Sequence, residues 1–211
     1  MRGRPVLRDR RRPQRVRQQR ARGEGDVFVA EADESDRSFL LLAPFGAVVT
    51  NVEADHLDNY GDLAAVEAAF DRFLETVDPQ GFVVVCADDP GAARLRDVPA
   101  PAGMHRARLR TYGTSADADL HLTGLEVGPD ATSYTATLDG KELGRVRIQV
   151  PGEHMALNSA AALLAGIELG LPVADLVEGW VASAGCTDGS SSRAPSPGCA
   201  CTTTTPTTRP R

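Results

Sequence analysis

The fold is decided between residues 47 and 87, whose sequence is AVVTNVEADHLDNYGDLAAVEAAFDRFLETVDPQGFVVVCA. Ala47–Val52 and Phe82–Ala87 are short apolar runs rich in β-branched residues, a pattern typical of strands buried in a parallel sheet. Between them, apolar residues recur with helical spacing over Asp62–Val77, and Asp62 is a candidate N-cap. The segment therefore predicts a strand, a helix and a second strand of an α/β protein.

The flanking sequence extends this pattern in both directions. Asp26–Ala30 predicts a further buried strand, and His154–Gly170 predicts a long helix that Gly170 and Pro172 end. Residues 109–150 change to short alternating segments separated by Gly-Pro-Asp and Asp-Gly turns, which favours antiparallel strands. The predicted fold class is α/β, a mostly parallel sheet flanked by helices, with a small antiparallel sheet. Two shorter helices are predicted at Pro90–Leu95 and Val173–Ser183.

The net charge of −6 is the sum over three regions whose charges differ strongly. Residues 1–22 carry ten Arg and one Asp, and residues 186–211 carry three Arg and one Asp, which leaves about −17 for residues 23–185. The strong negative charge of residues 23–185 argues against nucleic acid as a partner of this region.

The sequence also gives no sign of a membrane protein. Since no apolar run approaches the roughly 20 residues of a membrane span, and no signal peptide opens the chain, we expect no membrane partner and a cytoplasmic protein.

Polar clusters follow two of the predicted strands. Glu31-Ala32-Asp33-Glu34-Ser35-Asp36 follows the first strand, and Asn51–Asp58, with His56 among carboxylates, follows the second. Because parallel strands end at the same edge of a sheet, these clusters predict a Mg²⁺ site there. The alternatives are a solvated acidic turn and a structural histidine. A third cluster, Pro151–Asn158, opens the long helix, where Gly152 permits a tight turn and the helix N-terminus attracts anions.

Together these clusters resemble the Mur ligase family, and most of all its alanine-adding members. The matching stretches are AEADESD, TNVEADHLD, VVVCADDP, RTYG and PGEHMALNSAAALLAG, which occur in that order. The resemblance implies an ATP-binding central domain over residues 23–185, with Glu31 and His56 as Mg²⁺ ligands and Asn158 as an adenine contact. His154 and Asn51 lie in matched motifs and are assigned to the same nucleotide site. Met155 departs from the Asn that is commonest there and receives no role.

The resemblance also shows what the chain does not contain. The family's phosphate-binding loop, GTHGKTTT, has no counterpart in this sequence, so the predicted domain is related to the P-loop folds but incomplete. Residues 1–22 have no apolar periodicity, and residues 186–211 contain no Leu, Ile, Val or Phe. Both ends are therefore predicted to be disordered. The alternative for residues 1–22 is an arm that binds nucleic acid, and the alternative for residues 186–211 is a zinc site at Cys186, Cys199 and Cys201.

We interpret both ends as products of another reading frame. If the frame starts at the third base of each codon, residues 202–210 are compatible with HDDYAHHPT, which continues the family sequence. If it starts at the second base, residues 6–20 are compatible with SFVIGGDLNESGSNA, which resembles the family just before this domain. The hypothesis places one frame break near residues 21–25 and another near residues 185–186. Reading the nucleotide sequence tests it.

The resemblance implies part of an ATP- and Mg²⁺-dependent ligase that joins L-alanine to UDP-N-acetylmuramate in peptidoglycan synthesis through an acyl phosphate. Without the phosphate loop, the chain as written is expected to be inactive. Two alternatives stay open. One is a non-catalytic remnant that binds a nucleotide or Mg²⁺, and the other is a different amide ligase of the same superfamily.

Overall fold

The computed structural model describes residues 27–99 and 107–182. The chain divides into two units, one of Val29–Gly185 and one of Met1–Phe28 together with Cys186–Arg211. All helices and strands named below belong to the first unit. The predictions made for residues 1–22 and 186–211 fall outside the described residues and remain predictions. Within the described ranges, no helix has the length and apolar character required to cross a membrane.

Among the described residues of this unit, six strands arranged in chain order form one central sheet. The strands are β1 Gly46–Val49, β2 Phe82–Cys86, β3 Arg108–Gly113, β4 Leu120–Val127, β5 Thr132–Leu138 and β6 Lys141–Ile148. The helices are α1 Leu57–Tyr60, α2 Leu63–Thr76, α3 Pro90–Ala93, α4 Glu153–Glu168 and α5 Val173–Ala182, with 3₁₀ turns at Ser38–Leu41 and Arg94–Asp97.

The sheet is parallel in its first half and antiparallel in its second. The pairs β1–β2, β2–β3 and β3–β4 are parallel, whereas the pairs β4–β5 and β5–β6 are antiparallel. This confirms the predicted α/β class. Two details differ from the prediction: the antiparallel strands continue the same sheet, and β3, whose residues from 109 were included in the antiparallel part, pairs parallel with β2 and β4. Local alternation marks a strand, but its direction is set by partners distant in sequence.

The core lies around β2 and α4. All five residues of β2 are buried, as its continuous apolar sequence predicted. α4 packs over β1 to β5 and buries Ala156, Ala160, Leu163 and Leu164. Its alanines let the helix backbone approach the sheet closely, while each fully buried leucine contributes about 1.5–3 kcal/mol of transfer free energy. This packing fixes the start of α4 above the ends of the strands.

The predicted helices form close to their expected limits. α2 occupies Leu63–Thr76, and its cap is Asp62, whose carboxylate accepts a hydrogen bond from the backbone N–H of Ala65 at 2.8 Å. The predicted helix at Pro90–Leu95 is a single α-turn, Pro90–Ala93, followed by the 3₁₀ turn Arg94–Asp97.

The predicted buried strand at Asp26–Ala30 is wrong for the residues that the structure describes. Residues 27–30 have no regular secondary structure, and Phe28 and Val29 are 79% and 86% exposed. In the described part of the chain β1 ends the strand order and pairs with β2 alone. A strand needs a neighbour for its backbone hydrogen bonds, and an apolar run by itself does not provide one.

Candidate functional site

A cleft of about 450 Å³ opens where the strands of the parallel half end. It lies between the residues that follow β1 and β2, the end of β3 and the first turns of α4. Its lining consists of Thr50, Asn51, Glu53, Cys86, Asp88, Asp89, Tyr112, His154, Leu157 and Asn158. Open α/β sheets bind ligands at this edge, outside the carboxyl ends of the strands.

The start of α4 is fixed by a hydrogen-bonded link to β5. Gly152, the residue before the helix, has φ 124° and ψ 139°, a backbone conformation that side chains disfavour. Its N–H donates to the hydroxyl of the buried Thr132 at 2.9 Å, and that hydroxyl donates to the carbonyl of Val150 at 2.9 Å. This arrangement turns the chain from β6 into α4 and sets the direction in which the helix begins.

Three cleft residues follow from helical periodicity. His154, Leu157 and Asn158 stand at positions i, i+3 and i+4 of α4, so they share one face of the helix. Asn51 reaches the same cleft from the end of β1, where its side-chain oxygen accepts a hydrogen bond from the Thr50 hydroxyl at 2.9 Å. The structure thus brings together the three residues assigned to the nucleotide site, Asn51, His154 and Asn158. Their role in binding stays a prediction.

Asp89 holds two loops of the cleft together. One of its carboxylate oxygens accepts hydrogen bonds from the N–H of Ala92 at 2.7 Å and from the N–H of Val52 at 3.0 Å. The first bond caps α3, and the second fixes the segment that follows β1. A single side chain therefore sets the spacing between the ends of β1 and β2.

Asp88 does the same for the ends of β2 and β3. Its carboxylate accepts bonds from the N–H of Thr114 at 2.7 Å, the hydroxyl of Thr114 at 3.0 Å and the N–H of Ser115 at 2.9 Å. The two aspartates are therefore engaged in shaping the cleft.

The lining of the cleft is acidic. It contains the carboxylates of Glu53, Asp88 and Asp89, and among the residues that the structure describes His154 supplies its only basic side chain. A polyphosphate would be repelled by these carboxylates unless a cation accompanied it. The cleft accordingly suits a neutral group, or an anion that carries a divalent metal ion.

The inner end of the cleft, formed by Cys86, Tyr112 and Leu157, is apolar and sheltered from water. Cys86 and Tyr112 face each other in register on β2 and β3, and both are buried, whereas Leu157 is half-buried. Burial raises the pKa of Tyr112 well above its usual range, and the neighbouring Cys86 adds to the shift. The tyrosine therefore keeps its proton at neutral pH.

The two residues assigned to Mg²⁺ are placed differently. His56 precedes α1 in a left-handed conformation, and its Nε2 lies 3.7 Å from Oε1 of Glu34 and 3.9 Å from Oδ2 of Asp55. Glu31 is exposed in a segment without regular structure, and no hydrogen bond or ion pair joins it to His56. Across residues 27–99 and 107–182, no three acidic, histidine or cysteine side chains are grouped to hold a metal ion. The pairing of Glu31 with His56 stays a prediction.

A set of contacts nonetheless ties the acidic cluster to the segment that carries His56. The guanidinium of Arg37 lies 4.6 Å from the centre of the Tyr60 ring and donates to the carbonyl of Asn59. The hydroxyl of Tyr60 donates to the carbonyl of Glu34, and the Asn59 amide donates to the carbonyl of Ser35. The two polar clusters are therefore neighbours, although the first does not follow a strand: these side-chain contacts hold it in place, and Glu34 is a carboxylate beside His56.

Sequence patterns gave no role to several of the residues that line the cleft. Asp88, Asp89 and Tyr112 lie in the quoted stretches VVVCADDP and RTYG but had no assigned role. The signal available for Asp89 was its position before a proline at a helix start, which is typical of a cap. No comparable local signal marks Tyr112, because only the pairing of β2 with β3 brings it to the cleft.

Comparison with known proteins identifies the family of this chain. A sequence model of the Mur ligase middle domain matches residues 12–166. The chain belongs to the Mur ligase family. The match includes residues 12–22 of the arginine-rich segment and ends within α4.

Two curated relatives of this Mur ligase chain carry the same name. The UDP-N-acetylmuramate–L-alanine ligase of Salinispora arenicola is 54% identical over 151 residues, which are 72% of this chain and 29% of that protein. The ligase of the same name from Saccharopolyspora erythraea is 50% identical over 165 residues, 77% of this chain and 33% of that protein. The chain spans about a third of the length of these relatives.

Solved Mur ligases share the fold of this chain. The UDP-N-acetylmuramate–alanine ligase of Thermotoga maritima superposes with a TM-score of 0.58 at 26% identity, covering 70% of this chain and 30% of that one. The UDP-N-acetylmuramate:L-alanyl-γ-D-glutamyl-meso-diaminopimelate ligase of Neisseria meningitides gives a TM-score of 0.59 at 24% identity, covering 71% and 43%. The second likeness supports the fold alone.

Proposed function

We propose that this chain is the nucleotide-binding segment of a ligase that joins L-alanine to UDP-N-acetylmuramate in peptidoglycan synthesis. The observation that carries the proposal is the cleft, because it gathers Asn51, His154 and Asn158 at the sheet edge where α/β proteins bind ligands. The relatives at 50% and 54% identity carry the name of this activity. Their names favour the alanine-adding reaction over another amide ligase of the superfamily.

In the proposed reaction, ATP phosphorylates the carboxylate of UDP-N-acetylmuramate to an acyl phosphate. The amine of L-alanine then attacks the acyl carbon, forms the amide and expels phosphate, while ADP is the other product. The part of this chain is to hold and orient the nucleotide through the face of α4 and the loop after β1. The side-chain amides of Asn51 and Asn158 line the cleft. An amide can both donate and accept hydrogen bonds, and a purine base needs partners of both kinds.

The Mg²⁺ that this family implies suits the acidic character of the site. The carboxylates of Glu34 and Asp55 lie 3.7 and 3.9 Å from Nε2 of His56 and supply oxygen atoms, the ligands that Mg²⁺ prefers. Among the described residues these side chains are not grouped as a metal site, so the ion would have to draw them together. We propose His56, with Glu31 or Glu34, as the protein ligands. When bound, the ion would offset phosphate charge that the acidic cleft otherwise repels.

We further propose that the isolated chain binds Mg-ATP but does not turn it over. Its single lysine, Lys141, is exposed at the start of β6, and no Gly-rich segment with a lysine is present in the sequence to hold the phosphates. Calorimetric titration of the full chain with Mg-ATP, together with an assay for alanine-dependent ADP formation, tests both parts. Binding without ADP formation is the expected result. Absence of binding would overturn the nucleotide site, and turnover would overturn the predicted inactivity.

A matched pair of variants locates the binding in the cleft. Asn158→Ala removes a side chain from the cleft and is expected to weaken Mg-ATP binding about 3- to 10-fold, the effect of one neutral hydrogen bond. Gln80→Ala is the control, because Gln80 is an exposed amide side chain in the turn that precedes β2, at the opposite end of that strand from the cleft. Its affinity is expected to equal that of the parent chain. Equal affinity for Asn158→Ala would place the nucleotide elsewhere.

A further inference from the structure

The hydroxyl of Tyr112 has no hydrogen-bond partner of good geometry within the described residues. Tyr112 is fully buried, and it is one of the residues that line the cleft. The group beside its hydroxyl is the thiol of Cys86, which is only a weak acceptor. Buried polar groups in native proteins nearly always find a partner, so a hydroxyl left without one at a cleft indicates that the partner comes with a ligand.

A second buried tyrosine, Tyr134, has a hydrogen-bond partner for its hydroxyl and serves as a comparison. Tyr134 is also fully buried, but its hydroxyl is 2.8 Å from the hydroxyl of Ser159, which in turn donates to the carbonyl of Ala156 at 2.8 Å. Tyr134 lies on β5, outside the cleft. The difference between the two tyrosines is therefore local to the cleft.

The surroundings of Tyr112 restrict what its hydroxyl can meet. The inner end of the cleft is apolar, with Cys86 and Leu157 beside the tyrosine, whereas Asn51, Glu53, His154 and Asn158 are exposed at the rim. Phosphate groups would lose hydration at the inner end without gaining a cation there. A flat, neutral heterocycle fits it, because the ring buries apolar area while its nitrogens accept hydrogen bonds.

We propose that Tyr112 is a nucleotide-binding residue whose hydroxyl donates a hydrogen bond to a ring nitrogen of the adenine base. The inference rests on the proposed function, since it assumes that the cleft takes ATP. Because burial keeps the hydroxyl protonated, it acts as a donor at all pH values at which the protein would be assayed. The contact would select a base that offers an acceptor at this position.

The test is calorimetric titration of the full chain and its Tyr112→Phe variant with Mg-ATP and Mg-ADP, combined with thermal unfolding. The variant is expected to bind both nucleotides about 3- to 10-fold more weakly, with the same ratio for each, because the base is common to both. Without nucleotide, its melting temperature is expected to equal or exceed that of the parent, since the removed hydroxyl meets only the weakly accepting thiol of Cys86. A purely structural tyrosine would show the opposite pattern.

Tyr134→Phe is the matched control. This variant is expected to melt at a lower temperature without nucleotide, because it breaks the bond to Ser159, and to bind Mg-ATP like the parent chain. If the parent binds Mg-ATP and Tyr112→Phe binds it equally well, the role of Tyr112 is overturned while the proposed function stands. If the loss appears with Mg-ATP alone, the hydroxyl meets the terminal phosphate and the base contact is overturned. If the parent binds neither nucleotide, both proposals fail.

Discussion

At the scale of single residues, the cleft is shaped by aspartates that satisfy backbone donors. Asp89 is the clearest example, because it accepts from the N–H of Val52 and the N–H of Ala92 with one oxygen. Val52 is buried, so its N–H has no ready replacement in water. An unsatisfied buried donor costs about 1–3 kcal/mol, and loss of a helix cap costs about 0.5–2 kcal/mol.

Asp89→Ala is therefore expected to lower the free energy of unfolding by about 2–3 kcal/mol, measured by urea denaturation. Asp89→Asn retains an oxygen that can accept both bonds and is expected to lose less than about 1 kcal/mol. Asp62→Ala is the control for an ordinary cap, since Asp62 accepts one bond from Ala65, and is expected to lose about 1 kcal/mol. Equal losses for the two alanine variants would contradict the double role of Asp89.

Asp117 gives a prediction for pH. The hydroxyl of Ser115 and the guanidinium of Arg96 donate to its carboxylate and lower its pKa from 3.8 to about 2. A lowered folded-state pKa adds stability at all pH values above 3.8, and this stability is lost as pH falls towards 2. An NMR titration is expected to place the midpoint of Asp117 near 2 and to move it upward in Ser115→Ala. A midpoint near 3.8 in the parent chain would contradict these contacts.

Only some of the residues at the site could be predicted from the sequence. Asn51, His154 and Asn158 were identified because they lie in recognisable motifs at the ends of predicted elements, and the structure places all three in one cleft. Tyr112 was not identified, because its position depends on strand register and its unpaired hydroxyl depends on the packing around it. Glu34 could not be separated from Glu31, since both belong to one run of carboxylates.

At the scale of elements, the site depends on how α4 begins. A Cβ on Gly152 would lie 2.7 Å from Cε1 of His154, so a side chain there would displace the imidazole from the cleft. Gly170, which follows α4, also has a positive φ, 78°, but a Cβ there would meet nothing within 4 Å. A side chain at Gly170 would therefore strain the backbone alone, whereas a side chain at Gly152 would strain the backbone and also disturb the site.

Gly152→Ala and Gly170→Ala are each expected to lower the free energy of unfolding by about 1–2 kcal/mol through backbone strain. In calorimetry, only Gly152→Ala is expected to weaken Mg-ATP binding, because only it moves His154. The same affinity in both variants would show that His154 has no part in binding.

Local sequence patterns were sufficient to predict some helices and strands but not others. α2 could be predicted almost to the residue, since its cap, its apolar spacing and its end are all local signals. The segment at residues 27–30 has the composition of a strand but is exposed, because a strand exists only beside a partner. The parallel pairing of β3 was missed for the same reason.

At the scale of the whole molecule, the described part of the chain is one sheet with a cleft at its carboxyl edge. The alternation of strands and helices was enough to predict the α/β class, and the family resemblance was confirmed by the match to the Mur ligase middle domain. Neither predicts how the antiparallel strands attach, because their place in the sheet depends on pairing across many residues. We propose that this cleft is where the nucleotide binds.

Photoaffinity labelling of the full chain with 8-azido-ATP and Mg²⁺, mapped by mass spectrometry, tests that claim most directly. We predict covalent label in peptides that contain residues 50–53, 86–89, 112 or 154–158, and loss of this label when unmodified ATP competes. Label confined to other peptides, or label that ATP fails to displace, would contradict the account.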